Sequence, residues 1–274
     1  MEAKNSVIIR NGNCLDDISE HSHEIITCIG KNANLKASKL EDACLTSTGN
    51  NPTVDLHATG CNINIDANRV NRIFIVGDNN NIRIHADGCD NDIVIIGEHN
   101  TITLLLQSID VYLLGNNNLF NMSYWLGSCL IKGVNLTTNI QAFDSKVDLR
   151  IKDSVIDLRG DDTDFDLVGV NVKGSIDSLD NKSTYTINNT GSTMMTLSTR
   201  TNIKVRPCGH VSINPVRDGV VDTYSTERLA KESTPDKAGF YRFEEIFSKQ
   251  VKDLAVQYTK TEDVGDEKPT QIAI

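Results

Sequence analysis

Two short segments of the sequence carry the side chains best suited to holding a metal ion. Val54-Asp55-Leu56-His57-Ala58-Thr59-Gly60-Cys61 and Ile82-Arg83-Ile84-His85-Ala86-Asp87-Gly88-Cys89 repeat the order His-Ala-x-Gly-Cys at an interval of 28 residues. Imidazole nitrogen and thiolate sulfur are the common ligands of a tetrahedral zinc site, so His57 and His85 with Cys61 and Cys89 make a chemically sound donor set. Repetition gives a simpler account, because a repeated fold copies any residue of one unit into the next. On that account the two histidines are neighbours produced by stacking, and no metal or other cofactor is assigned.

A second cluster is acidic: Arg159-Gly160-Asp161-Asp162-Thr163-Asp164-Phe165-Asp166. Two carboxylates sharing a site push each other's pKa values apart and can serve as acid and base on a glycosidic bond. The same residues equally make a solvated corner or an oxygen-rich calcium site. No catalytic set is therefore assigned, and Asp161 and Asp162 are the nearest approach to one. The single Trp lies in Met122-Ser123-Tyr124-Trp125-Leu126, where Tyr124 and Trp125 form either a sugar-binding platform or an internal plug. No nucleophile elbow, phosphate-binding loop or dinucleotide glycine pattern is present.

The elements that must position these groups are written as a beat. From residue 25, alternating pairs separated by one residue recur every nine or ten positions: Ile26/Cys28, Leu35/Ala37, Leu45/Ser47, Val54/Leu56, Ile63/Ile65, Ile73/Ile75, Ile82/Ile84, Ile93/Ile95, Ile102/Leu104 and Val111/Leu113. Each pair is the period-two signature of a strand with one buried face. Gly, Asn and Asp fill the gaps, as in Gly77-Asp78-Asn79-Asn80 and Gly115-Asn116-Asn117-Asn118, and these residues tolerate the left-handed backbone of tight corners. Three strand-plus-corner units match the 28-residue interval, which predicts a parallel β-helix with three short strands per coil. A second near-period of about 20 residues links Ile73-Phe74-Ile75-Val76-Gly77, Ile93-Val94-Ile95-Ile96-Gly97 and Val111-Tyr112-Leu113-Leu114-Gly115. Stacked coils would let corner asparagines form amide ladders.

Composition narrows the partners. Among 274 residues the net charge is −10, which argues against nucleic acid or an anionic membrane surface. No apolar run of about 18 residues is present, so membrane insertion is not expected. The seven cysteines have no CxxC spacing and read as reduced, inward-facing small residues of a protein folded in a reducing cytosol. The expected organisation is a cap at 1–24, the β-helix at 25–206, a linker at 207–239, an amphipathic helix at 240–260 and a polar tail at 261–274. The helix is read from Phe243, Phe247, Val251, Leu254 and Tyr258, spaced four, four, three and four apart, and would cap the coil stack or dock on a partner.

Period, Asn-rich corners and the doubled His-Ala-x-Gly-Cys segment together resemble right-handed parallel β-helix proteins, the architecture of pectate-lyase-like enzymes and of bacteriophage spikes, fibres and capsid decorations. The resemblance implies a non-enzymatic virion component assembled in the host cytoplasm, as a homo-oligomer or within a larger particle, with a surface glycan as a candidate ligand. The alternatives are a carbohydrate-active β-helix enzyme and a cytoplasmic polymer-forming scaffold similar to bactofilins. Gly160-Asp161-Asp162, Asn202-Ile203-Lys204 and Gly209-His210-Val211 are similar to the polygalacturonase motifs, with the last two in reversed order and the arginine missing.

Overall fold

A computed structural model describes residues 5–10, 15–88, 92–178, 183–190, 195–199, 203–206, 211–215 and 221–223. All strand pairing among them is parallel, and the strands form one continuous 22-stranded sheet wound on itself. The all-β parallel solenoid predicted from the beat is therefore present, with about nine turns.

The coil is smaller than the 28-residue interval implies. Ile25–Lys31, Cys44–Asn50, Asn62–Ala67, Asn81–Ala86 and Thr101–Gln107 stack directly on one another and form a first wall. Asn34–Glu41, Thr53–Thr59, Arg72–Val76, Ile93–Ile96 and Val111–Leu114 alternate with them along the chain and form a second wall. Each coil thus holds two strands, and the register Ile63↔Ile82↔Ile102↔Phe120 sets its length at 18 to 20 residues. Further on, the long strands Leu119–Val134 and Thr137–Lys152 each supply a rung to both walls before the simpler alternation resumes at Val155–Asp161 and Asp164–Val170.

The unit beneath the coil is the nine-residue half-coil, and its marker is the corner. Positive-φ residues fall at His99, Ser108, Asn117, Leu126, Asn135, Asp144, Asp153, Asp162 and Asn171, each nine positions after the last. The residue that follows the corner turns inward: Asn100, Ile109, Asn118, Leu136, Ser154, Thr163 and Val172 are all buried. Twenty-eight residues are therefore three half-coils, or one and a half turns. That interval carries a segment to the opposite wall, which is why it looked like a coil repeat without being one. The 20-residue near-period is the true coil, linking Ile73, Ile93 and Val111 in one column.

Inside, the alternating pairs meet as expected. Ile63, Ile65, Ile82, Ile84, Ile102 and Leu104 from the first wall face Val54, Leu56, Ile73, Ile75, Ile93 and Ile95 from the second in one apolar core. Burying each such side chain contributes about 1.5–3 kcal/mol. Stacking begins within the segment read as a cap, since Ser6–Arg10 pairs with Ile25–Ile29 and Leu15–Asp17 with Asn34–Lys36. Strands Val211–Pro215 and Val221–Thr223 fall within the segment read as a linker. Phe243, Phe247, Val251, Leu254 and Tyr258 lie outside the described residues, as does the whole of 225–274.

Candidate functional site

Corner asparagines are spent on structure. Asn100 Oδ1 accepts the Asn80 N–H at 2.8 Å, and Asn100 Nδ2 donates to the Gly77 carbonyl at 3.0 Å. Asn118 does the same for the Asn100 N–H and the Gly97 carbonyl, at 2.7 Å each, and Asn80 for Cys61 and Ala58 at 2.9 and 2.8 Å. Each buried amide therefore staples the preceding corner at both its N–H and its C=O, groups that the ladder leaves unpaired. Glycine three residues earlier is required by close approach: a Cβ on Gly97, at φ +151°, would collide with the Gly77 carbonyl oxygen. On the outside, Asn51 donates to Asn32 at 3.1 Å and Asn135 to Asn117 at 2.7 Å, the amide ladders expected from the sequence.

The histidine pair is separated by the half-coil count. His57 lies on the second wall in register with Val76, whereas His85 lies on the first wall between Asp66 and Leu105. They are therefore not stacked neighbours, and the ladder expected of them is replaced by different partners. His85 Nδ1 lies 2.9 Å from Asp66 Oδ1 and its Nε2 3.9 Å from Asp87 Oδ1, in an exposed pairing. Cys61 is a buried corner residue whose sulfur accepts the Ala43 N–H at 3.4 Å, and burial pushes its thiol pKa up. Cys89 lies outside the described residues. Among the described residues no group of three or more His, Cys, Asp or Glu side chains is arranged to hold a metal ion.

Asp161 and Asp162 sit at one of the nine-residue corners. Asp161 ends the strand Val155–Asp161 in register with Phe143, and Asp162 takes the left-handed position at φ 50°. Thr163 then turns inward, its hydroxyl 2.9 Å from the Ala142 carbonyl and its N–H donated to Ser183 Oγ at 3.0 Å. Asp144-Ser145 and Asp153-Ser154 repeat this arrangement, so an Asp at the second position is a corner residue before it is anything else.

Tyr124 and Trp125 divide between the two roles open to them. Tyr124 points inward, is 0 % exposed, and donates its hydroxyl to the Ile109 carbonyl at 2.6 Å. It stands in an inward column between Leu106 and Ala142, with Ala86 one rung beyond Leu106. Trp125, one position on, is 39 % exposed and stacks on Phe143 of the next coil with ring centroids 4.9 Å apart and planes 11° apart.

Beside that stack runs a groove of about 630 Å³ along the first wall. Its sides are two outward columns: Asn64, Arg83, Thr103, Asn121 and Asn139, and then Asp66, His85, Leu105, Ser123 and Gln141. Gln107, Trp125 and Phe143 form the next column over. Adjacent rungs are about 4.8 Å apart, so five rungs present their side chains over about 19 Å. Sequence reasoning missed these residues because it assigned asparagine to corners; the signal was present at the outward positions of strands spaced one true coil apart. No protein-family model, curated protein or solved structure matches the chain.

Proposed function

We propose that the protein is a non-enzymatic structural and binding protein whose solenoid serves as a rigid display surface, of the kind that bacteriophage virions use as fibre, spike or surface decoration. The observation that carries this reading is the regularity of the coil stack. The described chain is built on one nine-residue unit, and the acidic cluster at Asp161 and Asp162 is one of its ordinary corners. Catalysis needs groups held in a geometry the scaffold does not produce everywhere, whereas display needs a repeated wall.

Two measurements test the reading. Mass spectrometry of density-purified phage particles should find the protein as a stoichiometric component; its absence from particles overturns the virion assignment. Incubation with a panel of polysaccharides should leave their chain lengths unchanged, and an Asp161→Asn/Asp162→Asn-sensitive depolymerisation would instead identify an enzyme.

A further inference from the structure

The amides of this protein fall into two populations. Those at corners bond one another or staple the backbone. Those in the groove do not: among the described residues, the side chains of Thr103, Asn121, Ser123, Asn139 and Gln141 enter no hydrogen bond. They project from a rigid sheet, so little ordering entropy remains to be lost when a ligand binds. Beside them the stacked Trp125 and Phe143 offer an apolar ring surface.

We propose that this groove binds an uncharged, hydroxyl-rich chain, that is, a neutral linear oligosaccharide lying along the coil axis. An amide presents both donor and acceptor, and so does a hydroxyl, so each rung can serve a hydroxyl in either sense. A sugar ring also has a C–H face, which suits the exposed indole of Trp125 while its hydroxyl edge meets Ser123, Asn121 and Asn139. Charge favours a neutral ligand: the groove lining carries one charge of each sign in Arg83 and Asp66, and His85 is paired with Asp66. A polyanion would meet a chain of net charge −10, and an extended peptide would seek a sheet edge rather than a sheet face.

The inference rests on the reading of the solenoid as a non-catalytic binding surface. The test is titration calorimetry of the full chain with cellohexaose, chitohexaose and maltohexaose, and with a hexauronate as the charged probe. At least one neutral hexasaccharide should bind with a Kd of about 1 mM or tighter. Trp125→Ala and the pair Asn121→Ala/Asn139→Ala should each weaken it at least ten-fold, Trp125→Phe should retain most of it, and the corner variant Asn135→Ala should leave it unchanged. Binding of none of the neutral probes, equal binding by all variants, or preference for the hexauronate overturns the proposal. Chain-length analysis of the bound sugar separates the two readings: shortening removes the non-catalytic assignment and leaves the groove as the site, whereas no binding removes the groove and leaves the display role.

Discussion

The two walls of the solenoid share a backbone and a core yet differ on their outer sides. On the first wall the outward residues are open: Ile25, Ile29, Leu105, Trp125 and Val155 are exposed among Thr, Asn and Gln. On the second wall the outward positions of the central coils are Phe74 and Val76, Val94 and Ile96, then Tyr112 and Leu114, and all six are buried although they point away from the core. Asp55 and Arg72 bound this apolar stretch at one end, 3.3 Å apart, and Asp148, Arg150 and Asp166 bound it at the other, with Arg150 at 2.9 and 3.1 Å from the two carboxylates. The difference teaches that strand alternation decides which side chains enter the core, while a second dry face is decided independently, strand by strand.

By that contrast, truncating an outward side chain to alanine has unequal cost on the two walls. Phe74→Ala should destabilise the fold by about 3–5 kcal/mol, the usual cost of emptying a buried aromatic site. Arg83→Ala, outward on the first wall, should change stability by less than about 0.5 kcal/mol. Urea unfolding midpoints of the two variants check the pair, and equal shifts would erase the distinction between the walls.

A smaller effect separates corner from wall amides. Asn100→Leu leaves the Asn80 N–H and the Gly77 carbonyl without their partner, at a cost of about 2–3 kcal/mol, whereas Asn139→Leu on the groove should be close to neutral. Thermal unfolding of both variants measures it.

The smallest effect is a pH dependence at the edge of the second wall. Burial, and then the Asp110 carboxylate of the adjacent coil, hold the Asp92 carboxyl above its usual pKa. The folded state therefore keeps this proton to a higher pH than the unfolded chain does. Its contribution falls as pH rises from the ordinary carboxylate value through the raised one, and stays low above it. Asp92→Asn should accordingly be more stable than the parent at pH 7, with the difference closing as pH falls to about 4. A constant difference between unfolding midpoints across that range would rule out Asp92 as the source.

Much of this was legible beforehand, and the failures have physical causes. Alternation at Ile63/Ile65 and Ile82/Ile84 was enough to place the core, and Asn-Gly-rich punctuation was enough to place the corners. Coil length was misread because 28 residues preserves inward and outward facing equally well on either wall. The true coil was written in Ile73–Val76, Ile93–Ile96 and Val111–Leu114, whose unbroken apolar runs also announced a sheet dry on both faces. The groove was not legible, because an asparagine reads the same whether its amide is bonded to a neighbour or turned to solvent; only its position in the half-coil tells them apart.

The nine-residue half-coil has a consequence for how such a chain diversifies. A segment copied across an even number of half-coils lands above its parent and meets the same neighbours, which thickens an existing surface. A segment copied across an odd number, as with the Val54 and Ile82 segments, lands on the opposite wall with its core side chains still facing inward. The fold tolerates both equally, so this architecture can inherit its packing from one ancestor while its two surfaces acquire separate histories. Here the histidine of one copy of the repeated segment, His57, stands in register with Val76 at the margin of the dry stretch, and that of the other, His85, stands in the polar groove.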